Sequence, residues 1–376
     1  MPSSPPRLCF VFLEIFSREG GIQSYVKDVF RAYLSQPDAP PAEVLLLRDA
    51  PSCENPFEGS SLSFRYLAMG NANLGRLRLA ATLGGQLLRG QYSRVICGHA
   101  RLGPLIAPLC KPFGVPYTVM TYGKEVWAPL PARQRQALQK ANSLWTISRY
   151  SRDIACEANG LDPSQMDLLP CIVDGEVFTP GDKSPQLLGQ YGLTQSRVLM
   201  TVARLWSGDI YKGVDVTIRA LPAIAQAFPT VKYLVIGRGD DLPRLAQLAQ
   251  DLGVADRVVF AGFVPTEALV DHYRLADAYV MPSQEGFGIV YLEAMACGIP
   301  VLSGDADGSA DPVQDGRVGW RVPHRDPEAV ANACIEMLTG QDRRCDGVWL
   351  RQETLAHFSP ASLQQRLSSL LNPTAG

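Results

Sequence analysis

Residues 283 to 301 read SQEGFGIVYLEAMACGIPV, and the rest of the chain is best understood outward from them. Ile289, Leu292, Met295 and Ala296 fall at helical spacing. Gly298 is placed to stop that helix, and Pro300 follows it. The helix is short and apolar on nearly every side, which predicts burial. Glu293 breaks the pattern, because a carboxylate among apolar neighbours is costly unless hydrogen bonds satisfy it. Glu285 lies eight positions earlier, at the mouth of the same helix. Gly286 and Gly288 flank Phe287 and leave the backbone open to close approach by a ligand. A helix start with free N–H groups suits an anion, phosphate above all. Two carboxylates for hydroxyls and one helix end for phosphate together fit a nucleotide sugar.

The run E-G-F-G-I-V-Y-L-E-A-M-A-C-G-I-P-V resembles the E-x7-E signature of retaining GT-B glycosyltransferases, in particular the large family-4 group. The resemblance implies that Glu285 holds hydroxyls of the transferred sugar and that Glu293 holds the ribose of the donor nucleotide. It implies that Gly286 and the backbone of Phe287, Gly288 and Ile289 orient the sugar. The competing reading is a buried connecting helix with one incidental acid.

Upstream, Val198 to Ala203 reads as a strand that runs into Arg204-Leu205-Trp206. Arg204 and Lys212 resemble the family's Arg and Lys that clamp the diphosphate. Two cations beside phosphates would stabilise the charge that grows on the leaving nucleotide. The resemblance thus makes Glu285, Arg204 and Lys212 the catalytic candidates. The intervening WSGDIY is longer than in common members. Val231 to Ile236 reads as a strand ending in Gly237-Arg238-Gly239-Asp240, which lacks the third glycine of a dinucleotide fingerprint. It resembles the family's loop beside the nucleobase, and Gly262-Phe263-Val264-Pro265 gives a second such loop. Gly237 and Val264 join the donor-binding candidates on that basis. Ala278 to Met281 is the strand that feeds the E-x7-E helix. Strands and helices alternate through this half, which predicts a parallel, doubly wound sheet.

Downstream, Asp305-Ala306-Asp307 is formally a D-x-D, a metal-binding pattern in the other main glycosyltransferase fold. Here it reads as a glycine-rich turn lining the donor site. The resemblance implies no metal and no cofactor, with the nucleotide sugar as substrate. Helices are expected over Pro327 to Leu338 and Ser362 to Leu371. In the GT-B fold the last helix, about 358–372 here, crosses back to the first domain.

The first half opens with a strand over Arg7 to Ile15, the turn SREGG at 17–21 and a helix from Ile22 to Leu34. Gly20 and Gly21 resemble the family's N-terminal glycine pair, whose backbone faces the donor diphosphate. Further strands are expected over Glu43 to Leu47, Ser61 to Tyr66, Arg94 to Cys97, Pro116 to Thr121 and Ala141 to Ile147, with a surface loop at 49–61. Leu74 to Gly90 reads as a helix carrying Arg76, Arg78 and Arg89. Its basic face is either solvated or the membrane-touching helix of family members that act on lipid-linked acceptors. His99 ends a strand and either lines the cleft or caps the next helix. Tyr122 holds the place of the family's sugar-side His. A phenol can hydrogen-bond or stack on a sugar but is no neutral-pH base at its ordinary pKa. Both are candidate sugar or acceptor contacts. Leu168 to Pro180 resembles the family's inter-domain segment, with Cys171 and Ile172 in place of Asn-Gly.

The whole chain agrees with a two-domain globular protein. It has 376 residues, 46% hydrophobic and 19% charged, with a net charge of −2. That balance argues against a nucleic-acid partner, which would call for a basic surplus. Nine cysteines without a C-x-x-C pair read as free thiols in a reducing compartment. The amino-terminal run lacks a signal peptide's apolar core, and no stretch approaches a membrane span. The expectation is a cytoplasmic protein, with any membrane contact peripheral to the inner face.

The expected fold is α/β of GT-B type, two Rossmann-like doubly wound parallel sheets facing a cleft. Residues 1–180 would form the acceptor-side domain and 181–357 the nucleotide-sugar domain. The implied activity is retaining transfer of a hexose from a UDP-glucose or GDP-mannose type donor to a saccharide or lipid-linked acceptor, in polysaccharide or glycoconjugate synthesis. A GT-B epimerase or phosphorylase is a weaker fit, since no pyridoxal-lysine context is present. A non-catalytic nucleotide-sugar-binding scaffold stands as the alternative, kept open by Tyr122 and by Cys171-Ile172.

Overall fold

The computed structural model describes residues 7–18 and 20–372, and the chain divides into two compact units. In the first, β1 (Arg7–Phe12) leads to α1 (Gly21–Leu34), β2 (Ala42–Leu46), β3 (Leu62–Tyr66), α2 (Ala72–Leu88), β4 (Tyr92–Cys97) and α3 (Gly103–Cys110). β5 (Tyr117–Met120), α4 (Ala132–Gln139), β6 (Ser143–Thr146), α5 (Arg149–Asn159) and β7 (Met166–Leu168) follow. The described strands pair in parallel in the order β3-β2-β1-β4-β5-β6-β7. β1 and β2 are buried almost throughout, as strands covered by helices on both faces must be.

The sequence reading puts 49–61 on the surface, yet Phe57 is buried. Its ring meets Phe30 of α1 edge-on at 5.5 Å, and Asn55 Oδ1 fixes the turn by accepting from the Phe57 amide at 2.9 Å. The expected first strand is also shorter than read. After Phe12 the backbone turns aside, because the amides of Ile15, Phe16 and Ser17 all donate to the buried carboxylate of Asp49, at 2.6, 3.2 and 2.8 Å.

The second unit, Ile172–Ser359, contains α6 (Pro185–Gln190), β8 (Arg197–Val202), α7 (Val214–Ala227), β9 (Val231–Ile236), α8 (Leu242–Asp251) and β10 (Val258–Gly262). These are followed by α9 (Leu269–Tyr273), β11 (Ala278–Met281), α10 (Ile289–Ala296), β12 (Val301–Gly304), β13 (Trp320–Val322), α11 (Pro327–Thr339) and α12 (Gly347–Phe358). The sheet is again parallel, in the order β10-β9-β8-β11-β12-β13. Its strand order reverses between β8 and β11. A crevice outside the carboxyl ends of the strands at such a reversal is where open α/β sheets bind ligands.

The division falls at 171/172 rather than at 180. The segment after Cys171 is held by the second unit: Val173 N–H donates to Phe358 O at 2.9 Å, and Arg351 donates to the carbonyls of Gly175 and Phe178, both at 2.6 Å. The last helix, α13 (Pro360–Leu371), belongs to the first unit and packs on α1. All nine cysteines are free.

Candidate functional site

β8 ends at Val202 and releases the loop that carries Arg204 and Lys212. Arg204 is exposed, and its guanidinium pairs with Asp209 at 2.6 Å and lies over Trp206 with 5.4 Å to the ring centre. Asp209 comes from the WSGDIY loop between Arg204 and Lys212, so this loop supplies the partner of Arg204. A short 3-10 turn, Ser207–Lys212, ends at Gly213 with φ of +77°. A Cβ on Gly213 would stand 2.5 Å from the carbonyl oxygen of Pro282. Glycine is therefore required for the loop after β8 to reach the loop after β11. The Gln284 amide completes the contact by donating to Tyr211 O at 3.0 Å.

This approach brings Lys212 Nζ onto Glu285 Oε1, with both side chains about one-fifth exposed (20% and 17%). A third loop, after β12, supports Glu285 from behind. Asp307 Oδ2 accepts from the Glu285 amide at 2.5 Å, and the Gly308 amide donates to Glu285 O at 2.8 Å. Asp307 also accepts from the Ser309 amide at 2.9 Å and from its hydroxyl. Burial pushes the Asp307 carboxyl up to about 6, against the pull of these donors. The D-x-D therefore splits: Asp307 is a buried brace, whereas Asp305 is exposed and its carbonyl accepts from Arg321 at 2.6 Å. Among the described residues no group of three His, Cys, Asp or Glu side chains is gathered as a metal site would need.

Gly288 begins α10 with φ of +91°, and no side chain caps the helix. Phe287 is buried edge-on against Phe358 at 5.7 Å, which anchors the loop and leaves its backbone at the helix mouth, beside Gly286 and Ile289. Glu293 stands one turn further along α10. Its Oε2 accepts from the Tyr273 hydroxyl at 2.6 Å. Desolvation raises its carboxyl to about 7, with the Tyr273 bond opposing. Tyr273 is the partner that sequence reading did not find, since it lies on the preceding helix α9.

Gly237 and Gly239 have a packing reason of their own. Cβ atoms there would stand 1.8 Å from the carbonyl oxygens of Ala203 and Leu205, so this loop must be glycine-rich to lie against the Arg204 loop. Val264 is 8% exposed, held inside the loop after β10. Its neighbour Phe263 is exposed and lies under Arg238, 4.6 Å from the ring centre.

In the first unit, Gly20 precedes α1 without a side-chain cap, and a Cβ on Gly21 would meet nothing within 4 Å. Internal packing therefore does not call for a glycine at Gly21. His99 is a cap: its Nδ1 accepts from the Arg101 amide at 3.1 Å, and burial together with Arg101 lowers it to about 4. The phenol of Tyr122 is engaged within the first unit. It is 7% exposed, packs edge-on against Tyr25, and donates its hydroxyl to Gly98 O at 2.7 Å. Burial raises its pKa well above the usual tyrosine value.

Comparison with known proteins agrees on the type of fold. The family described as glycosyl transferases group 1 matches residues 196–340. A GDP-mannose-dependent alpha-(1-6)-phosphatidylinositol monomannoside mannosyltransferase of Mycolicibacterium smegmatis is 35% identical over 284 residues, 71% of this chain and 73% of that protein. A monoacylated-substrate counterpart from Corynebacterium glutamicum is 29% identical over 375 residues, 94% of each chain. Among solved structures, Anabaena HepE in complex with UDP superposes with a TM-score of 0.78 at 19% identity, covering 98% of this chain and all of that one. Sucrose-phosphate synthase from Thermosynechococcus elongatus gives 0.76 at 20% identity, covering 98% and 99%. The GT-B fold is common to this group.

Proposed function

The chain belongs to the group 1 glycosyltransferases, and from that premise we propose that it transfers a hexose, with retention and without a metal, from a nucleoside diphosphate sugar to a saccharide or lipid-linked acceptor. GDP-mannose is the donor to try first, because the M. smegmatis and C. glutamicum relatives are named for it.

The observation that carries this reading is the Lys212–Glu285 pair at the carboxyl ends of β8 and β11, with Arg204 on the same loop as Lys212. Cations and a carboxylate side by side suit the two parts of a donor that differ in charge. In the proposed reaction Arg204 and Lys212 hold the diphosphate, and Glu285 with the backbone of Phe287, Gly288 and Ile289 orients the hexose. The Glu293 carboxylate accepts from the ribose hydroxyls. As the bond from the sugar's anomeric carbon to the diphosphate oxygen breaks, negative charge collects on that oxygen, and Lys212 neutralises it. The acceptor hydroxyl oxygen forms the new bond to the anomeric carbon on the same face, and its proton passes to the departing diphosphate oxygen. Gly20 and Gly21 supply backbone amides to the phosphates, and the open space at Gly21 supports that approach.

No helix among the described residues is long and apolar enough to cross a membrane. Exposed Leu74, Leu77 and Leu88 lie on α2 with Arg76 and Arg78, which supports peripheral contact with an anionic membrane surface if the acceptor is lipid-linked.

Donor hydrolysis and transfer, followed with GDP-mannose and UDP-glucose in the presence and absence of EDTA, test the reading. Turnover of one donor that survives EDTA is the expected result. Donor binding without any turnover would favour a non-catalytic scaffold.

A further inference from the structure

Residues 47–49, after β2, hold residues 12–17, at and after the end of β1, one after another. The amides of Leu47 and Arg48 donate to the carbonyls of Phe12 and Leu13, at 3.1 and 2.8 Å. The Arg48 guanidinium reaches the Glu14 carboxylate at 2.8 and 3.2 Å. Asp49 closes the series. It is 0% exposed, its Oδ2 accepts from the amides of Ile15 and Phe16, and its Oδ1 accepts from that of Ser17.

Successive amides that converge on one point form an anion-binding concavity. Here the chain supplies the anion itself, so the amides at 15–17 are closed to a donor phosphate. The amides left to face one lie further on, at Gly20 and Gly21. Gly20 follows Ser17 by three positions, which confines it to within about 11 Å of Ser17. Gly20 offers α1 no side-chain cap, so the path into that helix is set from upstream. A buried carboxylate stripped of its donors is costly. Any displacement of 15–17 would strip Asp49, so the loop is held in one arrangement. That is the preorganisation an amide aimed at a phosphate needs. The second unit repeats the device. Asp307, after β12, accepts from the Glu285 amide in the loop after β11, and β11 and β12 are neighbours as β1 and β2 are.

We propose that Asp49 is a positioning residue for the donor: it fixes the loop after β1 so that the Gly20 and Gly21 amides meet the diphosphate. The proposal rests on the glycosyltransferase reading, and Asp49 acts in it only through the loop.

The test is a double-mutant cycle on kcat/KM for GDP-mannose or UDP-glucose, whichever is turned over, run well below the melting temperature of every variant. Asp49→Asn keeps the shape of the side chain but turns one acceptor oxygen into a donor facing a backbone amide. It should lower kcat/KM by about 10- to 100-fold, the scale of a small misplacement of a binding group. Gly21→Ala alters the same loop directly, so Asp49→Asn/Gly21→Ala should stay within about threefold of the worse single variant. Glu43→Gln controls for lost stability. Glu43 is buried near the amino end of β2, accepts from the Tyr92 hydroxyl and pairs with Arg65 at 2.6 Å. Its substitution should lower the melting temperature, as Asp49→Asn does, yet leave kcat/KM within about twofold. Should Asp49→Asn fail to fold, Asp49→Glu, which keeps the charge on a side chain one methylene longer, takes its place in the cycle. Unchanged kcat/KM at Asp49→Asn would overturn the proposal, as would losses that multiply in the double variant or an equal loss in Glu43→Gln. No turnover of either donor by the unsubstituted chain would instead count against the glycosyltransferase reading. Amide hydrogen exchange then decides on Asp49: exchange at 20–25 should quicken in Asp49→Asn and not in Glu43→Gln, and unchanged exchange there would overturn the positioning role.

Discussion

The hydroxyl of Tyr273 donates to Oε2 of Glu293 at 2.6 Å, joining the end of α9 to the middle of α10. This one neutral donor does not offset the desolvation that raises the Glu293 carboxyl to about 7. A carboxyl raised in the folded chain stabilises the fold when protonated. Its contribution is full below the unfolded value near 4.3 and is lost as pH rises through 7. Glu293→Gln should therefore leave stability unchanged at pH 4 and increase it at pH 8, by up to roughly 2–3 kcal/mol. Melting temperatures at the two pH values check this. The same variant should bind donor more weakly, by on the order of 1.5–3 kcal/mol, since a charged acceptor for the ribose is lost. Weaker binding together with higher melting temperature separates a ligand role from a structural one.

The glycines divide by cause. Gly213 combines φ of +77° with a backbone oxygen 2.5 Å from any Cβ, so Gly213→Ala should destabilise the second unit by at least ~1–2 kcal/mol and pull Lys212 from Glu285. Gly21 has open space around it, so Gly21→Ala should leave the melting temperature within a degree or so of the unsubstituted chain while lowering turnover by crowding the diphosphate. A destabilised Gly21→Ala would show that the fold itself needs that glycine.

Much of this was legible in the sequence because its signals are local. The 283–301 run carries helix spacing, a stop and two acids in one stretch, and α10 forms where it places the helix. The alternation of strand and helix through the second half predicts its parallel sheet. What escaped reading is contact over distance. Asp49 gathers three amides some thirty residues before it in the chain, at 15–17. Tyr273 reaches Glu293 across a strand and a loop, and Asp307 reaches back to the Glu285 amide. None of these leaves a periodic trace. α12 was missed because its apolar residues do not gather on one face, and its start is set by Asp346 accepting from the Val348 and Trp349 amides. Nor did the sequence show that the Tyr122 hydroxyl meets the Gly98 carbonyl, because a phenol at a strand end looks the same whatever it meets.

The two aspartates of the D-x-D should behave differently. Asp307→Ala removes the acceptor for two backbone amides, which should destabilise the second unit by ~1–3 kcal/mol and lower turnover by loosening Glu285. Asp305→Ala touches only an exposed side chain and should leave turnover within about twofold. Rates and melting temperatures of both variants check this. Equal losses of turnover in the two, restored by added magnesium or manganese, would instead make them a metal-binding pair.

Lys212 and Glu285 are paired in the ligand-free chain, so a substitution at Lys212 removes two things at once: a cation for the leaving diphosphate and the partner of Glu285. If Lys212 acts on charge that develops as the nucleotide departs, Lys212→Ala should lower kcat by about 100-fold or more, with donor KM changed much less because Arg204 still holds the phosphates. Lys212→Arg should recover part of the rate, since a planar fork does not replace a point charge. The partly exposed pair contributes no more than about 1 kcal/mol to stability, so melting temperatures should move little. The double substitution Lys212→Ala/Glu285→Gln separates the two roles. Were Lys212 only a counter-ion for Glu285, neutralising the acid as well would restore much of the activity. A lysine that serves the diphosphate predicts no such recovery, and steady-state rates of the single and double variants decide between them. Turnover equal to the unsubstituted chain in Lys212→Ala would end the case for Lys212 in catalysis.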